Sequence, residues 1–309
     1  MLRGILPVLP TPFDHTGAID AAGMQRIVDF ALESGVAGVV YPGFASEIDD
    51  LTADERTRLL RIVVERVAGR VPVVAGASAG RMEDVITHAR EAAALGVGTV
   101  MVQAPKSLGT DGGAVAGFYR AIAAAVPSLA IVLQNAPAPR GSDLDPATIV
   151  AIARDNPAIR YVKEETLPSG GAISAILAGK PDHVAGVLGG GGARNVVDEY
   201  VRGACGAMPA VELADLHVAF DAAFRTGDVK RAREIYARTL PLLVIQAIYR
   251  MRLTKEVLVR RGVIDHATVR AKLPEFDDYD RREIDAWLEA IADLLTVRRP
   301  SQPATRARA

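Results

Sequence analysis

Only six of the 36 basic residues in this 309-residue chain are lysines: Lys106, Lys163, Lys180, Lys230, Lys255 and Lys272. The distinction carries chemistry, because a primary amine condenses with a carbonyl to an imine and a guanidinium does not. Lys163 alone closes an apolar strand pattern, Ile159-Arg160-Tyr161-Val162-Lys163. In a closed parallel barrel the C-terminal end of such a strand faces the rim where reactive groups gather. Burial there disfavours the ammonium form and frees the amine as a nucleophile. The competing reading is a strand-end lysine that snorkels to solvent. Glu165 lies two residues on, and period-two alternation aims it the same way if extended backbone continues. A partly desolvated carboxyl at that place has a raised pKa and can act as acid or base; otherwise it is a solvated loop carboxylate.

Two glycine-bearing segments offer backbone rather than side-chain chemistry. Tyr41-Pro42-Gly43-Phe44-Ala45-Ser46-Glu47 can present N–H groups to a carboxylate, or be an ordinary loop between strand and helix. The run Gly189-Gly190-Gly191-Gly192 leads into helical pattern at Ala193 and suits a phosphate at a helix N-terminus, or a flexible loop. His15, His88, His183, His217 and His266 are scattered without metal-ligand spacing, so no metal is expected. Neither a Gly-x-Ser-x-Gly elbow nor a phosphate-binding Walker loop is present, which argues against a hydrolase or a nucleotide-binding protein.

The elements that must position these groups are legible from hydrophobic period. Strand patterns fall at 4–9, 37–41, 71–76, 98–103, 129–134, 159–163, 183–188 and 205–209. Amphipathic stretches fall between and after them at 20–34, 53–68, 81–95, 113–126, 145–155, 169–179, 193–202 and 210–226. Thr52-Ala53-Asp54-Glu55 reads as a helix start, with a hydroxyl at the N-cap and a carboxylate three residues on. Eight such units predict an α/β fold, a TIM (β/α)8 barrel over 1–226. A doubly wound open sheet competes, but no Gly-x-Gly-x-x-Gly follows the first strand. Helical pattern alone continues at 228–248, 251–262 and 280–296, predicting an all-helical C-terminal region over 227–299 and a disordered tail at 300–309.

Composition narrows the partners. Lys plus Arg number 36 against 37 Asp plus Glu, with no basic block beyond a few tail arginines, so no nucleic-acid partner is expected. Cys205 is the only cysteine, which excludes an internal disulfide and a cysteine-built metal site and fits a reducing compartment. The opening residues are too interrupted by proline for a signal sequence, and no apolar run spans a bilayer. These features predict a cytoplasmic protein without a membrane partner.

An ordered series of residues resembles the dihydrodipicolinate synthase and N-acetylneuraminate lyase superfamily of pyruvate-type class I aldolases. It runs from Thr11-Pro12-Phe13 through Gly43 with Glu47, Leu51-Thr52, Glu55-Arg56, Gly69 to Gly76, Asn135, Pro137 and Val162-Lys163-Glu164, to Gly203 and Gly206. The resemblance implies that Lys163 forms the Schiff base and that residues 43–47, namely Gly43, Phe44, Ala45 and Ser46, surround the carboxylate of a 2-oxo acid. It places Gly189 and Met208 among the substrate contacts. It also implies a homo-oligomer, dimer or tetramer, and no cofactor, since the iminium is itself the electron sink.

Departures from the family pattern are equally informative. The hydroxyl-bearing pair that usually follows Gly43 is replaced by Phe44 and Ala45, leaving Ser46 or backbone N–H groups to hold the carboxylate. The strand-five tyrosine of the family aligns with Gln134, which can donate a hydrogen bond but not a proton, and its helper tyrosine falls near Ser107. The arginine that binds a second substrate in the synthases is offset by one to Arg140, and Glu165 stands where a small residue is usual. The acidic pair after strand seven is missing. These changes argue against both namesake activities and, with Phe44, predict an apolar pocket. The first reading is a Lys163-dependent lyase on a 2-oxo acid, whether aldolase, hydratase-aldolase or dehydratase, with Gln134 and Glu165 as its catalytic partners. A synthase-type condensation of pyruvate with an aldehyde is the second reading, and a non-catalytic oxo-acid binder the third.

Overall fold

In a computed structural model that describes residues 1–297, eight parallel strands alternate with helices. The strands are β1 (Gly4–Ile5), β2 (Val39–Val40), β3 (Val73–Gly76), β4 (Thr99–Gln103), β5 (Ala130–Asn135), β6 (Ile159–Glu164), β7 (Gly186–Gly189) and β8 (Gly206–Ala207). Their spatial order is β1-β8-β7-β6-β5-β4-β3-β2. A bridge between Val8 and Val40, with Ala37 N donating to Ile5 O at 2.9 Å, joins the two ends and closes the barrel. Strand one ends at Ile5 rather than residue 9 because Pro7 and Pro10 have no N–H for the ladder, and Val8 rejoins only through single bridges.

Eight helices cover the outside: α1 (Ala21–Glu33), α2 (Ala53–Val67), α3 (Met82–Ala94), α4 (Gly112–Ala125), α5 (Pro146–Asp155), α6 (Ser169–Gly179), α7 (Val196–Val201) and α8 (Ala214–Arg225). Helix α2 starts as its sequence predicts, with Glu55 N donating to Thr52 Oγ1 and Thr52 N donating to the Glu55 carboxylate. Helix α7 starts three residues later than expected, because Gly191, Gly192 and Ala193 all have positive φ and form a separate short turn. That geometry removes the helix N-terminus from the glycine run, and with it the basis for a phosphate site there.

The barrel interior is a cluster of Leu6, Val40, Val74, Met101, Val132, Tyr161, Leu188 and Met208. Each buried aliphatic or methionine side chain in it contributes about 1.5–3 kcal/mol, so the layer forms a stiff floor. Two residues further along each strand lie Gln103, Gln134 and Lys163, which are register partners on β4, β5 and β6. The period of two thus carries the same strand faces from an apolar floor to a polar rim.

Helices α9 (Val229–Tyr249), α10 (Met251–Arg260) and α11 (Asp278–Ala290) complete the described chain. Arg250, at φ 53° and ψ −128°, interrupts the ladder between α9 and α10. Helix α11 begins two residues before its apolar pattern because Asp277 caps it, accepting from Tyr279 N and Asp280 N. Residues 298 and 299, and the tail expected at 300–309, lie outside the described residues. Among the described residues no helix is long and apolar enough to cross a membrane.

Candidate active site

Lys163 ends in a cavity of about 100 Å³ at the C-terminal mouth of the barrel. Only 3% of the residue is exposed, so it does not snorkel. Its Nζ lies 2.9 Å from Glu165 Oε1, and the side chains of both are almost wholly buried. Extended geometry therefore persists past β6 far enough to put the two groups on one side. The second carboxylate oxygen of Glu165 accepts from Arg140, and Gln134 Nε2 approaches it at 3.4 Å. Arg140 is fixed from behind, since Gln103 Nε2 donates to its carbonyl at 2.7 Å.

The protonation expected for Glu165 is reversed by these neighbours. Burial alone raises its pKa, but the Lys163 and Arg140 cations outweigh burial and hold the carboxyl down to about 2. It is therefore an ionised group, poised to take a proton rather than give one. The carboxyls that burial does raise stand behind it: Glu164 and Glu199 are each pushed up to about 7.

Glu199 sits under Gly189, where a Cβ would overlap its carboxylate, and accepts from Ser169 Oγ at 2.7 Å. Its folded carboxyl stays protonated up to about 7, against an ordinary 4.5 in the unfolded chain. The folded state thus binds the extra proton between those values, and stability falls as pH rises through that window. Glu199→Gln, which imitates the neutral form, should flatten that part of the profile and gain relative stability at pH 8. Melting temperatures between pH 5 and 8 test this, and parallel profiles for the two proteins would refute it.

The structure sorts the other residues singled out from sequence. Phe44, Ala45 and Met208 line the Lys163 cavity, while Gly43, Phe44 and Gln134 line an adjoining 300 Å³ cavity, with Phe44 and Arg140 common to both. A Cβ at Gly76 would overlap the Pro42 carbonyl oxygen, so only glycine lets the 42–43 backbone approach β3 this closely. Ser46, Gly189 and Ser107 are not brought into either cavity. Ser46 Oγ is fully buried, donating to Leu9 O at 2.5 Å and accepting from Gly43 N at 2.9 Å, so its hydroxyl is consumed in holding the loop. Gly189 faces Glu199 instead, and Ser107 is exposed outside the rim. Among the 43–47 groups the N–H donors of Phe44 and Ala45 remain, because the hydrogen bonds of their turn begin at Ser46 N and Glu47 N.

The expected apolar pocket is also corrected. The Phe44 ring is covered by cations, with the Arg140 guanidinium 5.0 Å and that of Arg250 5.6 Å from its centroid. Arg194 lines the same cavity. Sequence reading missed Arg194 and Arg250. The former followed a glycine run read as backbone chemistry, and the latter reaches the mouth from a helix boundary with no motif around it.

Glu47 does not line the cavity but anchors it. Its carboxylate accepts from buried Lys255 and from the backbone N–H groups of Arg270 and Ala271 at 2.7 and 2.9 Å. Burial pulls the Lys255 amine down to about 8, yet it is sealed from solvent and lies 4.1 Å from the Phe13 centroid, so it offers no second imine site.

A closed (β/α)8 barrel with a buried lysine and carboxylate at its mouth is the frame of an imine-forming lyase. The chain belongs to the dihydrodipicolinate synthetase family, whose model matches residues 1–291. It is 31% identical over 95% of its length, and 96% of the relative's, to an L-2-keto-3-deoxyarabonate dehydratase from Azospirillum brasilense. A 4-hydroxy-tetrahydrodipicolinate synthase from Stenotrophomonas maltophilia is 37% identical, but over only 57% of this chain and 59% of that one. Several similar curated sequences are thus matched over little more than half their length. Among solved structures, dihydrodipicolinate synthase from Rhodopseudomonas palustris superposes with a TM-score of 0.86 at 26% identity, covering 94% of this chain and 97% of that one.

Proposed function

We propose that the protein is a Schiff-base lyase acting on a 2-oxo acid through Lys163, and that its reaction is a dehydration. The observation that carries this reading is the Lys163 amine and Glu165 carboxylate, 2.9 Å apart on one wall of the cavity at the barrel mouth. The substrate carboxylate is held by the N–H donors of Phe44 and Ala45. Lys163 adds to the 2-oxo carbon, water leaves, and the iminium formed acidifies the hydrogens on C3.

Glu165 is the base that the missing tyrosine relay cannot supply. It removes a C3 proton, and the electron pair flows to nitrogen to give a neutral enamine. At that moment Glu165 loses one of the two cations that kept its pKa low, so its pKa rises and the carboxyl holds the proton it has taken until the leaving group accepts it. The enamine expels a hydroxyl group from C4, which leaves as water with the proton from Glu165. Hydrolysis of the unsaturated iminium then frees Lys163. Gln134 steadies the carboxylate without exchanging protons. The similarity to a full-length dehydratase supports dehydration over condensation. The proposal extends to a homo-oligomer in the cytoplasm, supported by Val244 and Ile248, which are half exposed on one face of α9.

The test is borohydride reduction in the presence of pyruvate, followed by mass spectrometry of the digest. A reduced adduct on Lys163 is expected, and no adduct, or one on Lys106, would overturn the reading. Glu165→Gln should still be trapped yet lose turnover of a 4-hydroxy-2-oxo acid by about 10²-fold or more. Unchanged turnover in that variant would remove Glu165 from the mechanism.

A further inference from the structure

The Lys163 cavity holds more positive charge than a simple 2-oxo acid requires. Lys163, Arg140, Arg194 and Arg250 line it against a single carboxylate, Glu165. Two of these cations, Lys163 and Arg140, are paired with Glu165. The guanidinium groups of Arg194 and Arg250 have no ion pair among the described residues. Burial lowers the pKa of Arg194 and the neighbouring charge of Arg250 lowers it further, an effect that the Glu165 and Glu199 carboxylates only partly offset.

The backbone is arranged to put both groups there. Arg250 itself has φ 53°, and Arg194 follows three residues at φ 54°, 68° and 61°. Two of those three are glycines, but Ala193 and Arg250 are not, and a non-glycine residue in such a conformation is strained. A Cβ at Gly192 would lie 3.0 Å from Arg194 Nη1, so the guanidinium folds back against the glycine backbone. Two separate segments, one from the β7–α7 loop and one from the α9–α10 break, thus hold strained backbone and deliver an unpaired guanidinium into the same space. Phe44, beneath Arg250, gives that group an aromatic face on which to lie.

We infer that Arg194 and Arg250 bind a second anionic group at the far end of the substrate, which is therefore a 2-oxo acid with a distal carboxylate or phosphate. This rests on the Schiff-base reading above. The near carboxylate is served by the Phe44 and Ala45 N–H donors and the carbonyl is taken by Lys163, so the two free arginines are left for the other end. The planar guanidinium matches either oxyanion through paired hydrogen bonds.

The experiment measures how much 2-oxo acid gives half-maximal borohydride trapping on Lys163. 2-Oxoglutarate and 2-oxoadipate are compared with 2-oxopentanoate and 2-oxohexanoate, which match them in length without the second charge. 2-Oxo-4-phosphonobutanoate distinguishes a phosphate-type site from a carboxylate site. At least one of the dianions should half-saturate at a concentration about tenfold lower than its uncharged-end counterpart, the gain from one charge-assisted hydrogen-bonding group. In Arg194→Met and in Arg250→Gln that ratio should collapse toward one. If pyruvate is trapped on Lys163 but neither the diacids nor the phosphonate is favoured, the distal-anion inference is wrong while the Schiff-base reading stands. Absence of trapping with every acid, pyruvate included, would defeat the Schiff-base reading itself. A preference that survives both substitutions also overturns the assignment to these two arginines.

Discussion

Lys163→Arg is expected to abolish covalent capture of any 2-oxo acid and to reduce turnover by about 10⁴-fold or more, as loss of a covalent nucleophile does. Arginine suits the test because it keeps a cation opposite Glu165. The buried carboxylate stays paired and the fold is preserved, so a lost activity is a lost amine and not a collapsed site. Intact-mass analysis after borohydride reduction reads the capture directly, and a thermal melt close to that of the parent protein confirms the fold. An adduct of undiminished yield in the variant would assign the chemistry to another lysine, and Lys106, which lines the larger cavity, is the first to examine.

The second large effect concerns stability. Glu47→Ala should destabilise the protein by about 3–5 kcal/mol, because it leaves the fully buried Lys255 ammonium without its anion. For a chain of this size that corresponds to a melting temperature lower by roughly 6–15 °C. Two backbone N–H groups, those of Arg270 and Ala271, lose their acceptor in the same stroke. Because Glu47 ends the turn that presents Phe44 and Ala45, trapping of 2-oxo acids should weaken as well. Lys255→Met combined with Glu47→Gln should recover much of the stability, since removing both charges leaves no uncompensated ion. A single-variant loss below about 1 kcal/mol, the range of exposed pairs, would show that the pair is not sealed as described.

The barrel could be read from sequence because each strand buries both faces and so writes a short run of Val, Ile and Ala, bounded by Gly or Pro. Strand limits were less legible, as in strand one, where Pro7 and Pro10 cut a promising run to two residues. Lys163 and Glu165 stood out because the period of two is a local property of one strand. The charge state of Glu165 did not, since it is set by Arg140, 25 positions away along the chain and brought close only by the loop after β5. Ser46 shows the converse failure. Its residue type suited a ligand contact, but the fold spends its hydroxyl on Leu9, a partner 37 positions away. Arg250 was least legible of all, because what matters there is a backbone angle at a helix boundary, and no pattern of residue types encodes it.

The contact between Lys255 and Glu47 spans 208 positions of the chain. On a ribosome, which releases a chain from its N-terminus, the eight strands and Lys163 all emerge before Lys255 and the 270–271 amides that donate to Glu47. A nascent barrel therefore carries the Lys163 amine while the loop bearing Phe44 and Ala45 is still untethered and Arg250 is still absent. The geometry described here has to wait for Lys255, in the middle of α10, and for the segment through Ala271, so a barrel with all eight strands is not yet a complete site.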